Sequence, residues 1–210
     1  VEAVGPADSP VRLRTSLRTG SWPALTAPIP PVAERIGIDL SPLDPTDSDD
    51  TRWLTACVWP EQLLRLERLK AALDATAAAP PHVLRGDLVD RLDDAFDLVG
   101  DDRHVVVLSS WALGYLPRDR RASLQRRLAL LAGRCADRGS RLTVLTLEAD
   151  HVVPWTPTPA LRSDAPPELR HASLLASTGF DHRGRTESTA LARCQAHLAW
   201  MERLDPGTDA

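Results

Sequence analysis

His104-Val105-Val106-Val107-Leu108-Ser109 is the stretch that decides the fold. The run is apolar on both faces, which predicts a central strand of a parallel sheet, buried from both sides. Three more short apolar runs share its character: Arg35-Ile36-Gly37-Ile38-Asp39-Leu40, His82-Val83-Leu84-Arg85-Gly86, and Arg141 to Glu148 with V-L-T-L at its heart. Longer amphipathic stretches separate them. Pro60 reads as the first residue of a helix, where its missing N–H costs nothing; Leu63, Leu66, Leu69 and Leu73 fall on one face and Pro80-Pro81 ends it. Asp87 suits the N-cap of a helix carrying Leu88, Leu92, Ala95 and Phe96, which Gly100 terminates. Pro117 to Asp137 places Leu124, Leu128, Leu131 and Cys135 in register, with Gly139 beyond. A short helical turn is expected around Trp53, Leu54 and Cys57.

Strands alternating with helices imply βαβ units. The expected fold is therefore Rossmann-like α/β, a mostly parallel sheet with helices on both faces. Residues 1–33 form an irregular, Pro-, Ser- and Thr-rich lead-in with a weak edge strand at Val11 to Leu17. Residues 34–150 form the core, and 151–204 complete the same domain. In that last part Ser173 to Phe180 is expected as a strand and Ser188 to Leu204 as a helix with Leu191, Cys194, Leu198 and Met201 on one face. Residues 205–210 are a tail.

Composition narrows the function. A chain of 210 residues with 43% hydrophobic content suits one domain that needs neither disulfides nor metal for stability. The formal charge of -4 favours neither nucleic acid nor an anionic membrane. Lys70 is the only lysine among many arginines, a skew that fits GC-rich coding better than a function. Cys57, Cys135 and Cys194 are widely spaced and make no C-x-x-C pair, so neither a disulfide framework nor a zinc site is expected. No apolar run approaches the ~20 residues that span a bilayer, and residues 1–10 lack a signal-peptide layout. The expected location is cytoplasmic.

In open α/β sheets ligands sit outside the carboxyl ends of the strands. The residues at those ends are Asp39, Asp87, Ser109 to Trp111, and Glu148. An acid at each of two strand tips suits a nucleoside, one carboxylate accepting from ribose hydroxyls and the other bordering the base; Asp39 takes the first role and Asp87 the second. The plain alternatives are a turn cap at Asp39 and a helix N-cap at Asp87. Trp59-Pro60-Glu61-Gln62 reads either as a pocket wall near Asp39 or as a helix start with a packed indole. Asp44, Asp47, Asp49 and Asp50 lack the glycine and glutamate of a calcium loop, and a solvated loop with a capping Asp is expected instead. Neither G-x-G-x-x-G, a Walker loop nor G-x-S-x-G occurs.

G-I-D-L-S-P-L-D-P-T-D at 37–47, A-C-V-W-P-E-Q followed by L-L-R-L-E-R-L at 56–69, R-G-D at 85–87, and V-V-V-L-S-S-W-A-L-G-Y-L-P at 105–117 together resemble the bacterial family Domain of Unknown Function 2332. The likeness is strongest over residues 10–150. The order of strand, Y-L-P, helix, strand and Glu148 is also similar to class I S-adenosylmethionine-dependent methyltransferases. The resemblance implies a glycine-rich cofactor loop on a first strand, and nothing in this chain matches it. The chain is therefore expected to be the later part of a longer protein whose missing N-terminal segment fills the gap, the alternatives being that residues 11–17 or a second copy fill it. On this reading the cofactor is S-adenosylmethionine, and the strand ends with the segment after Ser109 give a site of Asp39, Asp87, Ser109, Ser110, Trp111 and Tyr115; the six histidines show no H-x-H or H-E-x-x-H spacing, so no metal is expected. Two functions follow: a non-catalytic or incomplete methyltransferase-like domain, or the second half of an active methyltransferase.

Overall fold

A computed structural model describes residues 3–18, 30–101, 103–159, 166–181 and 186–204. In chain order the elements are β1 (Ser16–Leu17), β2 (Ile36–Asp39), α1 (Ser48–Ala56), α2 (Leu63–Ala78), β3 (His82–Arg85), α3 (Leu88–Asp97), β4 (Val105–Ser110), α4 (Arg118–Asp137), β5 (Leu142–Ala149), β6 (Ser173–Phe180), β7 (Thr186–Cys194) and β8 (Trp200–Arg203). They divide into two units: residues 1–13 with 24–98, and residues 14–23 with 99–210.

The first unit is built on a parallel pair. β2 and β3 run side by side, Ile36 opposite His82 and Asp39 opposite Arg85. R-G-D then turns strand into helix. Gly86 has φ +146, and a Cβ there would come within 2.7 Å of Arg91 Cγ, so the position requires glycine. Asp87 follows as the N-cap of α3, accepting from the N–H groups of Val89 at 2.7 Å and Asp90 at 3.4 Å. α3 packs on β2 and β3 with Val89, Leu92, Ala95 and Phe96 buried. The expected turn near Trp53 is a full helix, α1, because Asp47 caps it by accepting from Asp49 and Asp50. α2 begins later than expected. Pro60 lies in a turn closed by Gln62 N–H to the Trp59 carbonyl, and Leu63 is the first helical residue. Leu66, Leu69 and Leu73 are half-buried, whereas Leu63 and Leu64 are exposed.

The second unit is a six-stranded sheet in the order β1-β8-β7-β6-β5-β4. β4 and β5 are parallel, and α4 connects them, laying Leu124, Leu128, Leu131, Ala132 and Cys135 inward. α4 ends in a Schellman arrangement: Ser140 N–H donates to the Cys135 carbonyl at 2.8 Å and Gly139, at φ +69, to Ala136 at 3.0 Å. Beyond β5 the pairings β5–β6, β6–β7 and β7–β8 are antiparallel, and β1 pairs parallel with β8.

The mostly parallel Rossmann-like sheet with helices on both faces is therefore corrected. The sheet is mixed, with three antiparallel pairings, and β2–β3 forms a separate two-stranded sheet. The helix expected over Ser188 to Leu204 is overturned too. β7 pairs along the whole of β6, and Leu198 turns the chain at φ +58 into β8. Gln195 fixes that turn, its side-chain oxygen accepting from His197 and Ala199. Successive antiparallel strands need only short turns between them, so no crossover helix is required there. β4 is likewise not central: it ends the sheet, with Val106 52% and Leu108 71% exposed. The edge strand expected over Val11 to Leu17 is shorter, Ser16–Leu17. Among the described residues no helix is long and apolar enough to cross a membrane.

Candidate functional site

Parallel β4 and β5 bring the carboxyl ends of two strands together, and Glu148 lies where they meet. Alternation puts Thr146, Glu148 and the following Asp150 in phase with buried Leu142 and Val144. Glu148 is 1% exposed. Its Oε1 accepts three hydrogen bonds: from Ser109 Oγ at 2.9 Å, Ala112 N–H at 3.0 Å and Leu113 N–H at 3.0 Å. A buried carboxylate must be met by donors to be tolerated, and here the end of β4 and the loop leaving it supply them. Oε2 is also buried and has no hydrogen-bond partner among the described residues.

That loop bends sharply. Trp111 keeps its N–H on the ladder, donating to the Leu147 carbonyl at 3.0 Å, but takes φ +54, the left-handed region. For a bulky residue this costs on the order of 1–3 kcal/mol and persists only where the surroundings over-determine it. Glu148 over-determines it, because it ties down Ala112 and Leu113 immediately after the bend. Buried Leu113 anchors the short 3-10 turn Leu113–Tyr115. Arg121 secures the far side, donating from Nε to the Leu116 carbonyl at 2.9 Å and from Nη1 to that of Val152 at 3.0 Å. The fixed loop leaves Ser110 exposed, Trp111 43% exposed and Tyr115 89% exposed.

A second buried charge lies beside it. Arg193, 2% exposed, donates to Asp150 Oδ2 at 2.8 Å and to the Pro159 carbonyl at 2.7 Å. Asp150 Oδ1 is a further buried oxygen without a partner among the described residues.

Of the residues expected to form the site, Ser109 and Ser110 thus end β4, and Trp111 and Tyr115 lie in the loop that leaves it, all in the second unit. Asp39 and Asp87 lie together in the first. The Asp39 carbonyl accepts from Gly86 N–H at 2.9 Å, placing both acids at the same end of β2–β3. Each serves its own backbone: Asp39 Oδ1 accepts from Ser41 N–H at 2.7 Å, and Asp87 caps α3. The acidic loop also bonds locally, and hydrogen bonds from the hydroxyl and then the N–H of Thr46 hold the Asp44 carboxyl below its usual range. Asp150 and Arg193 escaped sequence reasoning. Their only signals were an acid in phase with Glu148 in L-E-A-D and an arginine inside the apolar A-L-A-R-C.

A family model described as "Uncharacterized protein conserved in bacteria (DUF2332)" matches residues 1–203, well past the stretch on which the resemblance was strongest. Neither the curated proteins nor the solved structures contain a match.

Proposed function

This chain belongs to DUF2332, a family of uncharacterised proteins conserved in bacteria, and from that premise we propose that it acts, as it stands, as a non-catalytic binding domain for a nucleoside-type ligand such as S-adenosylmethionine. One observation carries the reading. The protein retains a strained tryptophan backbone, held by a buried glutamate, and leaves the indole of Trp111 and the ring of Tyr115 open to solvent. A loop fixed in advance loses little entropy on binding. An aromatic face accepts a planar base by stacking, worth about 1–3 kcal/mol per base. Ser110 adds an exposed hydroxyl, and Glu148 acts as the positioning residue.

Calorimetric titration with S-adenosylmethionine and with S-adenosylhomocysteine tests this. Saturable heat is expected, weakened roughly tenfold by Trp111→Ala, since a loss of about 1.4 kcal/mol is a factor of ten. Folded protein giving no heat with either compound at millimolar concentration ends the reading. A second reading, methyl transfer from S-adenosylmethionine, draws on the acid pair Asp39 and Asp87 at one end of β2–β3. Its test is production of S-adenosylhomocysteine by the purified chain given S-adenosylmethionine and a bacterial metabolite extract as the source of a nucleophile to take the methyl group.

A further inference from the structure

Residues 150–159, which follow β5, form neither helix nor strand, yet Val152, Val153, Trp155 and Thr156 are buried. Register shows what this segment crosses. Directly opposed residues of antiparallel strands share a face, so Glu148, Leu174 and Arg193 form one row across β5, β6 and β7. Val144, Thr178 and Ser188 form a second row on the same face, because the register shift at β7 skips Leu191. The segment is fastened to both rows. Arg193 holds its two ends, at Asp150 Oδ2 and the Pro159 carbonyl, and Ser188 Oγ donates to the Trp155 carbonyl at 2.9 Å. Between these rows lie Thr146, Ala176 and Ala190, all small.

Unmet polarity collects in this layer. Seven buried side-chain polar atoms have no hydrogen-bond partner among the described residues, and five belong here: Thr146 Oγ1, Glu148 Oε2, Asp150 Oδ1, Trp155 Nε1 and Thr156 Oγ1. Thr146 and Glu148 are each 1% exposed, and Trp155 and Thr156 are also buried. Burying such an atom unmet is costly, so a group of them on one face points to a ligand. The set is mixed: two carboxylate oxygens that accept, an indole N–H that donates, and two hydroxyls that do either. A bare cation would leave the indole unanswered, and an anion would meet two carboxylates. Hydroxyl groups answer every member, donating to a carboxylate and accepting from the indole. We infer that the layer between residues 150–159 and the row Thr146, Ala176 and Ala190 binds a small neutral polyol. Three strands span about 10 Å, which suits one sugar ring or less. Asp150, its side chain 26% exposed, marks the margin towards solvent. Trp111 and Tyr115 take no part, so the inference does not rest on the nucleoside reading.

Saturation-transfer NMR titrations with D-ribose, D-glucose and glycerol test the inference on the full chain and two variants. Thr146→Val removes one hydroxyl at nearly constant shape. Glu148→Gln keeps an oxygen for the three donors that Oε1 serves and puts an NH₂ group in place of Oε2. The wild type is expected to bind at least one of the three compounds, and each variant to bind it roughly tenfold more weakly with unchanged far-ultraviolet circular dichroism. Folded wild type that binds none of them, its polar layer filled by water alone, overturns the inference. So does binding that either folded variant leaves unchanged. Both outcomes are independent of the calorimetry with S-adenosylmethionine, because Thr146 has no part in holding the Trp111 loop.

Discussion

α2 and α4 carry similar leucine periodicity, yet they meet opposite fates in their two units. In α4, Leu124, Leu128 and Leu131 are buried and the helix lies on β5 and β6. In α2 no residue is buried, and Leu64 is 81% exposed. The same contrast holds for the units as wholes. The first gathers its buried apolar side chains on α3 and leaves Leu40, Trp53, Trp59 and Leu63 exposed; the second contains nearly all the rest of the core. An amphipathic period supplies a face, but the stabilisation comes from what the face is laid against. The second unit should therefore carry most of the stability.

The largest expected effect is at Glu148. Glu148→Ala strands three donors, those of Ser109, Ala112 and Leu113, in a buried place. Since each orphaned donor costs about 1–3 kcal/mol, urea denaturation should show a loss of several kcal/mol, of order 3 or more. A full-sized effect from a comparable change in the first unit would erase the distinction. Next comes a matched pair. Leu128→Ala should cost about 2–5 kcal/mol, whereas Leu64→Ala should stay within about 0.5 kcal/mol, both by the same denaturation. Asp87→Ala removes the α3 cap and should cost about 1 kcal/mol, seen as faster amide exchange at the start of α3.

The smallest effect is chemical. Cys57 is exposed, whereas Cys135 and Cys194 are buried. A thiol reagent should therefore label one cysteine of the native protein quickly, in the first unit, and the other two only on unfolding. Burial pushes the Cys194 thiol up to about 11 and raises that of Cys135 as well. The folded state keeps these protons after the unfolded thiols, near their ordinary 9.0, have lost them. Their contribution is complete below about pH 9 and fades as pH rises towards 11. Cys194→Ala should flatten stability against pH over that window.

Much of the secondary structure was legible in the chain, because the residues that start and stop elements act locally. Asp87 caps, Gly86 and Gly139 take positive φ, and Ser173–Phe180 is the strand its pattern predicts. Sheet order was not legible. V-V-V-L looks the same in the middle of a sheet as at its edge, since a run of apolar residues does not say how many neighbours it has. The tail misled for another reason: Leu191, Cys194, Leu198 and Met201 fit a helical period, but T-E-S-T-A-L-A-R-C also alternates, and only pairing with β6 decides between them. At the site, the segment Ser109 to Tyr115 could be read from its position at the end of a strand. The polar partner of Arg193 could not, because Asp150 is 43 residues away in sequence.

That separation also bears on how the second unit assembles. Asp150 and Pro159, beyond β5, meet a guanidinium carried by β7, which reaches them only through its pairing with β6. An ion pair that needs β5, β6 and β7 all in place is expected to have a low φ-value, its interactions belonging to the native basin more than to the folding barrier. Weakening Arg193 would then hasten escape from the native state while leaving the rate of reaching it almost untouched.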